Sequence, residues 1–118
     1  MKILMIVNAP AYGSERMLSA LRLATALIGQ AGERVELLLF MMSDAVTVGL
    51  PGQAPSDNRG SLQEMIVELV NRGASIRLCR TCALARGLES LPLIDGVSIA
   101  TLSDLAESTL LADKVITF

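Results

Sequence analysis

Lys2-Ile3-Leu4-Met5-Ile6-Val7 is one charge followed by an unbroken apolar run, and it stops at Asn8-Ala9-Pro10. A short run without polar alternation suits a strand covered on both faces, as in a parallel sheet. A few residues on, the period changes. Met17, Leu21, Ala24, Ile28 and Ala31 step by four and three, Leu18 and Leu27 widen the stripe, and Ser14-Glu15 stands where an N-cap and first turn belong. The spacing predicts a helix to about Gln30, stopped by Gly32.

The alternation repeats outward from that start. Val35–Met42 is a second apolar run, and Ser43-Asp44 at its end predicts a brief capped turn through Val48. Gly49–Gly60, with Pro51, Gly52, Pro55, Asp57 and Asn58, predicts a loop. Ser61-Leu62-Gln63-Glu64 fits a capping box, and Leu62, Met65, Ile66, Leu69 and Val70 carry a helix ending before Gly73. Ala74–Leu78 is the third strand candidate, with Cys79 at its carboxyl end and a short helix over Thr81–Arg86 closed by Gly87. Beyond Pro92, Asp95 and Gly96 come an extended piece, Val97–Ile99, and a helix opened by Thr101-Leu102-Ser103-Asp104 with Leu102, Leu105, Ala106 and Leu110 on one side. Lys114–Phe118 closes the series as a strand. Strands alternating with helices predict a three-layer α/β/α sandwich around a mostly parallel sheet of about five strands. The 118 residues suit one domain over 1–118.

Composition narrows the chemistry. Ten basic against twelve acidic residues, one Tyr, two Phe and no Trp offer neither a phosphate-tracking stripe nor a base-stacking platform, so direct nucleic-acid binding is disfavoured. No His means no Ser-His-Asp or Cys-His pair and no HExxH site, and two Cys alone do not close a zinc site. No metal or cofactor is expected. Apolar residues make up 52% of the chain, which predicts surface closed against copies of itself. Leu91-Pro92-Leu93-Ile94 is a candidate for such a contact, and Met41-Met42 for core or interface packing. No uncharged run approaches the roughly 18 residues of a membrane span, and Ile3–Val7 is short for a signal peptide, so a cytoplasmic protein is expected.

In open α/β sheets ligands gather outside the carboxyl ends of the strands. Asn8–Ser14, Ser43-Asp44 and Cys79 all fall at that edge. Cys79-Arg80-Thr81-Cys82 is the informative tetrad: a helix start and the charges of Arg77, Arg80 and Arg86 would favour thiolate at Cys79. Cys82, three positions on, shares a helical face and can act as a resolving thiol. Both cysteines also suit a bland role as small buried fillers. The other rim residues are supporting candidates. Arg80 would stabilise the anion, Tyr12 either bonds a group at the site or packs over the strand ends, and Ser43 and Asp44 read first as helix-capping residues. The segment Asn8–Ser14 has one Gly and matches no phosphate-binding fingerprint. Three roles stay open on these residues alone: a reactive nucleophile at Cys79, a thiol-disulfide oxidoreductase using Cys79 and Cys82, and a non-catalytic oligomeric binding protein.

The order and spacing of five segments resemble the DsrE/DsrF-like family in its YchN-type branch. These are Ala9-Pro10-Ala11-Tyr12-Gly13-Ser14-Glu15, Met42-Ser43-Asp44-Ala45-Val46, Leu78-Cys79-Arg80-Thr81-Cys82 with Arg86-Gly87, Leu91-Pro92-Leu93-Ile94-Asp95-Gly96-Val97, and Ala112-Asp113-Lys114-Val115. The chain is similar also to the family's sulfur-relay subunits that serve tRNA thiolation. The resemblance implies an α/β sandwich assembled as a homohexamer. It further implies a cysteine at the Cys79 position that carries sulfane sulfur as a persulfide, ahead of an Arg-Gly pair. Cys82 fits the branch pattern and not that of the relay subunits.

Overall fold

The computed structural model describes residues 1–54 and 61–118, so Pro55–Gly60 of the expected loop lies outside the described residues. Five strands form one sheet: β1 (Lys2–Val7), β2 (Glu36–Met41), β3 (Ser75–Cys79), β4 (Val97–Ala100) and β5 (Lys114–Thr117), in the order β4-β3-β2-β1-β5. Every pairing is parallel. Between them run α1 (Arg16–Ala31), α2 (Leu62–Asn71), α3 (Arg80–Ala85) and α4 (Leu102–Leu111), with a 3-10 helix over Ser43–Gly49. Three crossovers step one way and the fourth steps back past β1. Right-handed connections therefore put α1, α2 and α3 on one face and α4 on the other.

The apolar runs behave as a doubly covered sheet demands. Leu4, Met5, Leu39, Phe40, Met41, Ile76 and Leu78 are all buried to within 2% exposure. On α1, Met17, Ala20, Leu21, Ala24 and Ile28 form the inward stripe. Gly32 ends that helix at φ +55°, in the left-handed region where glycine has no side chain to strain.

Several local expectations are corrected. Glu15, not Ser14, takes the N-cap position of α1, and the Ser14 hydroxyl accepts from the Arg16 amide at 3.3 Å. The Ser61 box is half made: its hydroxyl accepts from the Gln63 amide at 3.0 Å, with no return bond from Glu64. The complete box stands instead at Thr101 and Asp104. On α4 only Leu105 is buried, while Leu102 is 58% and Leu110 86% exposed. A single helix laid over a five-stranded face leaves its outer side unpartnered. Ile94 packs into the chain's own core and Leu91 is exposed, so the Leu91–Ile94 segment divides between the two.

Candidate functional site: two thiols at the end of β3

β3 ends at Cys79, which takes the N-cap position of α3 with extended backbone angles. Cys82 follows one turn later, half-buried, whereas Cys79 is only 2% exposed. Burial raises the Cys79 pKa, but the backbone and thiol of Cys82 and the hydroxyl and backbone of Thr81 outweigh it, and the net shift is downward. The Thr81 hydroxyl lies 3.9 Å from Cys79 Sγ. The sulfur closes no formal cap bond, yet these neighbours sit near enough to favour charge on it. Cys82 moves the opposite way. Burial and the adjacent Cys79 raise its pKa, against lowering by the Ser43 amide and by Arg86. Of the two thiols, Cys79 is therefore the more readily ionised.

The arginines do something other than expected. Arg80 Nε donates to Glu89 Oε1 at 3.1 Å on the surface, and Arg77 lies near enough to Asp104 to lower its pKa after the bonds from Thr101. Neither appears among the causes that shift Cys79. Arg86 is a staple. Its Nε donates to Asp44 Oδ1 at 2.9 Å, Nη2 to Ser43 Oγ at 3.4 Å and Nη1 to the Cys82 carbonyl at 3.1 Å. It ties α3 to the 3-10 helix after β2, and the exposed ion pair within that staple is worth at most about 1 kcal/mol.

Ser43 and Asp44 are thus not caps. Met42 occupies the N-cap position, and Ser43 takes φ +54°, the one left-handed non-glycine among the described residues. That turn carries the Ser43 amide to the Cys82 sulfur. Backbone of this kind costs energy and persists only where its surroundings enforce it. Tyr12 points elsewhere: its hydroxyl accepts from the Leu62 amide at 3.2 Å and so caps α2. Thr47, which the sequence does not flag, accepts from the Ala11 amide at 3.4 Å and donates to the Asp44 carbonyl at 2.7 Å, joining the loops after β1 and β2. Only the fold reveals it, since a threonine inside a turn carries no distinctive spacing. A groove of about 170 Å³ lined by Lys2, Glu36, Ser75 and Arg77 opens at the other end of the sheet, away from both thiols.

Thr81→Val removes one hydroxyl and keeps the shape. It is expected to raise the Cys79 pKa and slow alkylation near neutral pH by about two- to fivefold, as follows from one lost neutral hydrogen bond. Mass-resolved labelling with iodoacetamide measures it.

A parallel α/β sheet with a cysteine at the carboxyl end of its third strand, followed by a short helix and Arg-Gly, matches the pattern anticipated from the five sequence segments. The chain belongs to the DsrE/DsrF-like family, whose model matches residues 1–118. It is 49% identical to YchN of Escherichia coli K12 over 117 residues, covering 99% of this chain and 98% of that one. The crystal structure of the Escherichia coli YchN protein superposes with a TM-score of 0.94 over 99% of this chain and 98% of its own. The sulfurtransferase TusD of Salmonella paratyphi B is 27% identical over 129 residues, the full length of both. A protein of unknown function from Methanobacterium thermoautotrophicum, 15% identical, shares the fold at a TM-score of 0.80 over 99% of this chain and 98% of that one.

Proposed function

We propose that the protein is a sulfur carrier: the Cys79 thiolate accepts sulfane sulfur from a donor persulfide, holds it as Cys79-SSH and yields it to an acceptor thiolate on another protein. The observation that carries this reading is the placement of Cys79 at the carboxyl end of β3 and the N-cap of α3, with the Thr81 hydroxyl 3.9 Å from its sulfur, an environment that lowers its pKa. Thiolate attack on a sulfur-bound sulfur needs that ionised form. Family membership and the likeness to a sulfurtransferase support the class of reaction. Cys79 Sγ is nearly covered, so the outer sulfur of a persulfide, about 2 Å further out, is the atom a partner would meet. A thiol-disulfide exchanger is the second reading, favoured by the adjacency of the two sulfurs. Reduced protein is incubated with a persulfide donor and the intact chain is weighed. Added sulfur on the wild type at the earliest time points, or retained on Cys82→Ser, supports the carrier, and none on either form defeats it.

Residues 1–118 act in this proposal as one cytoplasmic unit. Among the described residues no helix is long and apolar enough to cross a membrane. The carrier assembles as a homohexamer, supported by the exposed Leu102, Leu110, Leu111 and Val115 of α4 and β5. Native mass spectrometry is expected to find six chains per particle, and a monomer at micromolar concentration would refute the assembly.

A further inference from the structure

We propose that Cys82 limits the lifetime of the loaded state: with no acceptor engaged, its sulfur attacks Cys79 Sγ, expels the outer sulfur as hydrosulfide and leaves a Cys79–Cys82 disulfide. This rests on the persulfide reading above. The Cys82–Cys79 sulfur bond forms as the bond from Cys79 Sγ to the outer sulfur breaks. The bonding pair leaves with the outer sulfur as hydrosulfide and the Cys82 proton passes to solvent, so the Cys82 sulfur is oxidised to the disulfide level as the outer sulfur is reduced to sulfide, with no further oxidant. Exchange with a dithiol reductant restores the starting pair.

Burial decides which sulfur each nucleophile can reach. Cys79 Sγ belongs to a residue 2% exposed, so an outside thiolate meets the outer sulfur, and attack there is productive transfer. Cys82 approaches from within. It stands three positions after Cys79, within the first turn of the helix that Cys79 caps, so the two side chains share one side and the inner sulfur is the atom in its reach. The Arg86 bond to the Cys82 carbonyl and the Ser43 amide at the Cys82 sulfur hold that thiol in place. Hydrosulfide is a less basic leaving group than an alkyl thiolate, which favours its departure.

The full-length reduced chain and its Cys82→Ser and Cys82→Ala forms are treated with inorganic polysulfide, desalted, and followed by intact mass and by a colorimetric sulfide assay. The wild type is expected to lose its added sulfur, to become lighter than its reduced form by two hydrogens, and to release one hydrosulfide per chain. Both Cys82 variants are expected to keep the sulfur, with sulfide release lost. If the wild type keeps its sulfur on Cys79 as long as the variants do, the proposal is overturned while the carrier reading stands; if peptide mapping finds that sulfur on Cys82, both are overturned. If no form gains sulfur, both are overturned.

Discussion

Cys79→Ser is expected to lower sulfur loading by at least about a hundredfold, because an alcohol at this position neither ionises near neutrality nor forms a stable bond to sulfane sulfur. Cys82 does not rescue it. In the variant burial still raises the Cys82 pKa, and Cys82 lacks the Thr81 hydroxyl that lies beside position 79. The pH profile of the wild type adds a second readout. The folded pKa of Cys79 is depressed, so the loading profile is displaced to lower pH than that of an ordinary thiol and falls as pH drops through the lowered value. The sign for stability is the same: the thiolate's contribution is complete above the unfolded pKa and is lost as pH falls through the folded one. A profile centred at or above an ordinary thiol would contradict the site's electrostatics, and loading of Cys79→Ser equal to wild type would remove Cys79 from the reaction. Cys79→Ala serves as a check that the serine itself does not disturb α3.

Phe40→Ala is expected to carry the largest stability effect. Phe40 is fully buried in β2, in register with Ile6 of β1 and Arg77 of β3. Removing a buried ring loses its transfer free energy and leaves a cavity that a parallel sheet, held by hydrogen bonds on both sides, cannot collapse to fill. The cost is about 3–5 kcal/mol, enough to lower the thermal midpoint by roughly 10 °C or more. Urea unfolding followed by circular dichroism measures it, and a loss below about 1 kcal/mol would mean that β2 is not the centre of the core. Phe40→Leu, closer in volume, is expected to recover most of the difference.

These two residues also mark what sequence discloses. The run around Phe40 and its counterpart at Lys2–Val7 are apolar without alternation, and that pattern alone carries burial on both faces and parallel pairing. Cys79 was legible because the strand candidate Ala74–Leu78 leads into it, which places it at the strand's carboxyl end. Its surroundings were not. Arg80 and Arg86 stand near it in sequence but pair with Glu89 and Asp44, and Arg77 acts on Asp104 and not on the thiol. A cation goes to the nearest carboxylate in space, and nearness in sequence does not report it. Ser43 reads as a cap because capping serines are common there, whereas its left-handed backbone depends on contact with α3. The α4 stripe failed for a different reason. Periodicity shows that a helix has an apolar side and not whether enough sheet lies beneath to cover it.

The return of β5 to the flank of β1 has a bearing on biogenesis. Ile3 lies opposite Lys114, so β1 gains its second neighbour only from a strand far along the chain. The segments that build the sulfur rim, from Ser43 to Arg86, emerge well before that closure. During synthesis the nascent chain accordingly presents a bare strand edge while its two cysteines are already near each other. Pairings so distant along the chain slow the final step, and the interval exposes that edge to chaperones and to other nascent copies.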